Sequence, residues 1–143
     1  MYFRPVTVFV IPAPSILSVD AETDSVCYNT GTTITATATP GAIIYWWTSP
    51  VGGTKIDSGN VHVTGNLTLP TTYYVQATYL GGCQNLQGMV AVPVSVIPLP
   101  AVTLTTDKDN NTAFPNEAIT FTASPSGYSN YEFFVNGNSV QSG

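Results

Sequence analysis

Charge is scarce in this chain of 143 residues. Only 8% of positions are charged, three basic (Arg4, Lys55, Lys108) against eight acidic, for a net charge of −5. Three cations cannot neutralise a phosphate backbone, which excludes nucleic acid as a partner. Nor can they form a polybasic membrane anchor. Histidine occurs once and cysteine twice, leaving few candidates for acid, base or nucleophile, so the chain reads as non-catalytic. No run reaches the roughly 20 apolar residues that a membrane helix needs, so membrane insertion is not expected. Helix-favouring stretches of Ala, Glu, Lys and Leu are missing. So are a phosphate-cradling loop, a nucleophile elbow and zinc-ligand spacing.

What is present favours strands. The sequence holds 21 threonines and 16 valines, with 12 glycines and 11 prolines to punctuate turns. This is the composition of an extracellular all-β protein. Within residues 13–98 the pattern predicts strands at Ile16–Val19, Thr33–Thr39, Ile43–Trp47, Lys55–Asp57, Leu67–Leu69, Thr72–Tyr79 and Met89–Ile97. Seven strands with regular turn signals make a β-sandwich. The run Thr33–Thr39 alternates strictly, which turns Ile34, Ala36 and Ala38 inward.

An internal repeat organises the chain. VFVIPAP (8–14) returns as VSVIPLP (94–100), ITATATP (34–40) as ITFTASP (119–125), and IYWW (44–47) as YEFF (131–134). A period of 85–87 residues fits one sandwich per repeat and exceeds that of a solenoid. Residues 1–12 are thus expected to be the last strand of a preceding unit, 13–98 a complete unit, and 99–143 the N-terminal half of a following one. The whole reads as a window on a longer array. The Ile11-Pro12-Ala13-Pro14 and Ile97-Pro98-Leu99-Pro100 junctions hold extended geometry with little slack.

Strand 43–47 is apolar throughout, so periodicity alone cannot orient it. Alignment with Tyr131-Glu132-Phe133-Phe134 places Glu132 outward, which puts Phe133 and Trp46 in the core. Tyr73 joins them at the position of a tyrosine corner. Trp47 and Tyr74 then share the opposite face, as packing residues or as rings on which a glycan could stack. His62 is expected to be a surface strand residue without a partner. Asp20, Glu22 and Asp24 recur as Asp107, Asp109 and Asn111 after the first strand of each unit. This i, i+2, i+4 oxygen spacing can wrap Ca²⁺ at an inter-unit junction, and it equally suits a solvated turn.

The residues Cys27, Gly31–Ala36, Ile44–Trp47, Gly52-Gly53, Thr71–Val75 and Val94–Val96 resemble the Ig-like modules of Bacteroidetes surface and secreted proteins. Glu117–Ala123 and Phe133–Gly137 are similar to their PKD-like variants. The resemblance implies tandem Ig-like (PKD-like) β-sandwich domains, one complete and flanked by partial units. It also implies an extracellular, cell-surface location and export by the type IX secretion machinery. The role implied is a stiff stalk segment of a large repetitive adhesin, of the kind used in surface attachment or gliding motility. Its partners would be neighbouring Ig-like units, with polysaccharide or other surface ligands held by distal domains. The alternative is a spacer or carbohydrate-binding module of a secreted polysaccharide-degrading enzyme. In an exported protein Cys27 and Cys83 are expected to pair as a disulfide. Asp24-Ser25-Val26 resembles the O-glycosylation site of such proteins, with Ser25 as acceptor.

Overall fold

A computed structural model of the protein describes residues 3–85, 88–125, 128 and 130–142. The chain divides into two compact units, Met1–Leu99 and Pro100–Gly143. Both are built from strands, and no α-helix occurs among the described residues.

The first unit contains β1 (Ile16–Ala21), β2 (Ser25–Cys27), β3 (Thr33–Ala38), β4 (Ile43–Trp47), β5 (Lys55–Ser58), β6 (Val61–Val63), β7 (Thr71–Thr78) and β8 (Val90–Ile97). They form one sheet in the order β1-β3-β6 and another in the order β2-β8-β7-β4-β5. Neighbours run antiparallel, except that β2 lies parallel to β8 through Ser25↔Ser95, Val26↔Val96 and Cys27↔Ile97.

Side-chain alternation decides what faces inward. Strand β3 buries Ile34 and Ala36 and leaves Thr35 and Thr37 exposed. Strand β4 buries Ile44 and Trp46, β7 buries Tyr73 and Val75, and β8 buries Val92 and Val94; with Val26 and Leu67 these form the core between the sheets. Trp46 is 0% exposed, and its indole Nε1 donates to the Gly59 carbonyl at 2.9 Å. The largest ring of the core is thus buried without an orphaned donor.

Two strands differ from the sequence expectation. The segment at Leu67–Leu69 makes only an isolated bridge, Thr30 to Leu67, and the strand beside β3 is β6, several residues earlier. Gly65 has φ +69, a left-handed turn that ends this pairing and lets Leu67 enter the core on its own. Strand β2 was not expected at all, since three residues are too few to show a period.

Chain direction follows from the register. Ser15 and Thr39 exchange hydrogen bonds, and a turn from Thr39 to Ala42 leads into β4. Ile43 lies opposite Thr78, and Val90 at the start of β8 lies opposite Val75. Entry to the unit and the start of β8 therefore share one end of the sandwich. Ile97, beside Cys27, leaves at the other.

Residues 3–11 carry the β8 pattern but take no part in either sheet and are exposed. The place that this pattern fits, between β2 and β7, is already filled by β8.

Among its described residues the second unit has four strands, β9 (Thr103–Thr106), β10 (Phe121–Ser124), β11 (Glu132–Val135) and β12 (Asn138–Ser142), with a 3-10 turn at Asp109–Asn111. Strand β9 pairs with β10, and β11 with β12, as two separate antiparallel ribbons. Asn136 and Gly137, at φ +54 and +82, form the two-residue turn that matches strand twist in a hairpin. Glu132 is exposed and Phe133 half-buried. Leu104, Phe121, Phe134 and Val140 stay largely exposed.

Candidate functional site

The outward face of the five-stranded sheet gathers three aromatic residues of β4 and β7 that are not in the core, Tyr45, Trp47 and Tyr74. Trp47 and Tyr74 are direct cross-strand partners, both half-buried. Tyr45 follows on the same face, opposite Gln76, and the Lys55 ammonium lies 4.6 Å from the centre of its ring. That cation–π contact holds β5 against β4. Trp47 Nε1 is buried and has no hydrogen-bond partner among the described residues. At the far end of this face Gln76 Nε2 donates to Gln84 Oε1 at 3.0 Å, so the 83–85 segment covers the continuation of the patch.

A second constellation was missed in the sequence. His62 is 8% exposed, not a surface residue. Val61 and Val63 on either side point to solvent, which turns His62 into the core opposite Ile34. Its ring stacks on Trp46 at 5.6 Å between centroids and tilts against Tyr73 at 5.1 Å. Nδ1 lies 2.9 Å from Asp57 Oδ2, while Nε2 is buried without a partner among the described residues. The pair joins β6 of one sheet to β5 of the other. The hydrogen bond from His62, helped by the Ser58 N–H, holds the Asp57 carboxyl below its ordinary value. Burial pushes the Tyr73 phenol up, and its hydroxyl donates a long bond to the Thr64 carbonyl at 3.4 Å. The signal for His62 lay in the Val-His-Val alternation, but the partner Asp57 depends on sheet order that no periodicity reveals.

The expected disulfide is corrected. Both Cys27 and Cys83 are exposed free thiols. Cys27 stands beside Ile97 at the end of β8. Cys83 follows β7, and its carbonyl accepts from the Tyr79 N–H and the Thr78 hydroxyl, at the end where β8 begins. Strand β8 has eight residues, a span of about 25 Å at roughly 3.3 Å per residue. A bridge needs Cα atoms within about 7 Å. Sequence position before one strand and after another had concealed that these are opposite ends.

The acidic loops do not converge either. Among the described residues no three His, Cys, Asp or Glu side chains gather as a metal site. Asp20 lies in β1 and Asp24 beyond its end. Glu22 donates its N–H to the Thr33 carbonyl, and the Asp24 carbonyl accepts from Ser95. Asp107 accepts the Thr120 N–H at 2.8 Å, which holds its carboxyl below the ordinary value. Asn111 accepts from the Thr106 hydroxyl, and Asp109 closes a turn onto Thr112. These are the bonds of turns. Ser25, in β2, is exposed.

The fold can now be set beside known families. A family model described as Ig-like domain, CHU_C associated, matches residues 12–98, more than half of the chain. The chain belongs to this family. It is a Bacteroidetes-type Ig domain, and domains of this family are typically non-catalytic. No curated protein matches the chain. In this Ig-like domain the aromatic face and the His62 cluster do different work: the cluster ties the sheets together, and the face is what the domain offers to solvent.

Proposed function

We propose that this chain is a non-catalytic stalk segment of a large repetitive cell-surface adhesin, serving surface attachment or gliding motility. The observation that carries this reading is the position of entry and exit at opposite ends of the first sandwich. A domain threaded this way adds a full strand length to the path of the chain, on the order of 25 Å or more at roughly 3.3 Å per residue. The Pro-rich junctions limit slack on either side. Membership in an Ig-like family supports a spacer role. In this reading the segment is extracellular, leaves the cell through the type IX machinery, and has neighbouring Ig-like units as its partners.

Spin labels at Ala13 and Pro98, on a Cys27→Ser/Cys83→Ser background, test the spacer geometry. One narrow distance distribution longer than β8 is expected, and a short or broad one overturns the reading. A glycan array with the chain and its Trp47→Ala/Tyr74→Ala variant tests the alternative. Specific binding lost in the variant would replace the spacer with a carbohydrate-binding module.

A further inference from the structure

A single asparagine in the sequence precedes a glycine, Asn136 before Gly137. Every other asparagine is followed by a residue with a side chain, Thr30 after Asn29 and Val61 after Asn60 among them. The glycine matters because no Cβ shields its backbone nitrogen from the neighbouring carboxamide. The turn leaves that nitrogen open. The last rung of the β11–β12 ladder is Val135↔Asn138, so both turn residues stand outside it, and both are exposed. Among the described residues no turn or loop carbonyl accepts the Gly137 N–H. Other carboxamides are engaged: Asn111 accepts from the Thr106 hydroxyl, and Asn85 donates to the Gly88 carbonyl.

The first sandwich shows where such a turn lies in a closed unit. Its counterpart there is the connection from β4 to β5, which is at the surface, with Val51 86% exposed. Exposure therefore belongs to this position in the repeat. At the offset that aligns IYWW (44–47) with YEFF (131–134), Asn136-Gly137 falls on Ser49-Pro50. Serine has no carboxamide and proline has no N–H, so the first unit lacks at this position the two groups that the second one brings together.

We propose that Asn136-Gly137 is a site of spontaneous covalent modification, in which Asn136 loses its amide and the chain is relinked in part through an isoaspartyl bond. Hydroxide takes the Gly137 amide proton, and the nitrogen attacks Cγ of Asn136. The N–Cγ bond forms as the Cγ–Nδ2 bond breaks, and Nδ2 leaves as ammonia with a proton from water, which restores the hydroxide. Water then opens the five-membered imide at either carbonyl. Opening at Cγ gives an ordinary aspartyl residue. Opening at the main-chain carbonyl leaves the chain running through Cγ, one methylene longer, with a free α-carboxylate. Nothing is oxidised or reduced. The aspartyl product suits the same turn, since Asp-Gly shares the preference of Asn-Gly. The isoaspartyl product does not. Its extra backbone carbon displaces Val135 from Asn138, in a pair whose register already shifts between Phe133 and Phe134. Either product adds negative charge to a chain that already carries −5. This inference rests on the turn alone and is independent of the spacer reading.

Ageing of the 143-residue chain in mildly alkaline buffer, followed over weeks by peptide mapping with mass spectrometry, tests it. Expected is a mass gain equal to the exchange of an amino group for a hydroxyl, growing with time in the peptide that holds residues 136–137. An isoaspartate-specific carboxyl methyltransferase should label that peptide. In the isoaspartyl fraction the amides of 132–135 and 138–142 should exchange faster than in fresh chain. The Asn136→Gly variant keeps the turn, because Gly-Gly also suits it, but it has no carboxamide there. It should gain no mass in this peptide and accept no methyl groups. A native chain that ages without mass gain at residues 136–137 overturns the proposal. So does an equal gain in Asn136→Gly, which would place the reaction at Asn138. A product that is purely aspartyl and never methylated overturns it as well, as does an isoaspartyl fraction whose hairpin exchange is unchanged.

Discussion

The two units start from nearly the same strand vocabulary and reach different degrees of closure. In the first, Trp46 is sealed between two sheets and hydrogen-bonded. In the second its counterpart Phe133 is half-buried, in a pair of ribbons that share no hydrogen-bonded edge among the described residues. The difference teaches that repeated sequence fixes strands and their facing, whereas burial comes from the number of strands that meet. Ile34 and Ile119 are equivalent in sequence, yet Ile34 sits beneath β7 and β8 residues in one cluster and Ile119 lines an open cleft.

The sharpest way to break this comparison is to truncate both rings. Trp46→Ala should destabilise the first unit by about 3–5 kcal/mol, the cost of emptying a large core site. Phe133→Ala should cost about 1 kcal/mol or less, because little apolar area is lost from water-exposed surroundings. Both tryptophans lie in the first unit, so urea unfolding followed by Tyr131 and amide signals for the second unit, and by tryptophan emission of Phe133-containing chain for the first, separates the two. Equal effects would mean that the second unit is as well packed as the first.

Gly31 comes next. A Cβ there would collide with the Gly65 carbonyl oxygen, so Gly31→Ala should cost about 1–3 kcal/mol, as overpacked sites do. Gly52 has open space around it but a positive φ of +66, so Gly52→Ala should cost about 1 kcal/mol through strain alone. Thermal melts of the two variants rank backbone approach against backbone conformation.

His62→Ala should destabilise by about 1–3 kcal/mol, since it removes a ring packed on Trp46 and Tyr73 and takes the donor from Asp57. The Asp57 carboxyl is held below its ordinary value of 3.8. A depressed carboxylate contributes stability that is present above the unfolded value and lost as pH falls through the folded one. Tryptophan-monitored stability should therefore decline below about pH 4, and Asp57→Asn should flatten part of that decline. An identical acid profile in the variant would show that the pair does not contribute. Smallest of all, Cys27→Ser and Cys83→Ser should each stay within about 0.5 kcal/mol, and a reducing agent should leave the melting temperature unchanged. A large drop on reduction would reinstate a bridge.

Much of the architecture was legible because alternation survives in strands exposed on one face. The strict period of Thr33–Thr39 oriented β3, and comparison of Trp46 with Phe133 resolved an apolar strand that has no period of its own. What failed needed knowledge of which strands are neighbours. The disulfide expectation paired residues that flank strands but lie at opposite ends of them. His62 looked solitary because Asp57 reaches it from another sheet. The acidic spacing repeated faithfully, but Asp107 and Asn111 spend their oxygens on backbone and threonine donors. Trp47 and Tyr74 were grouped correctly in space, as cross-strand partners, and grouping alone does not supply a ligand.

The parallel pairing of β2 with β8 has a mechanical consequence. A pull on the chain before β1 draws β2 toward one end, while a pull after Ile97 draws β8 toward the other, so the two strands form a lap joint loaded in shear. Their bonds, flanked by Ser95 to Asp24 at 2.8 Å and Tyr28 to Ile97 at 2.9 Å, then share the load side by side instead of opening one after another like a zip.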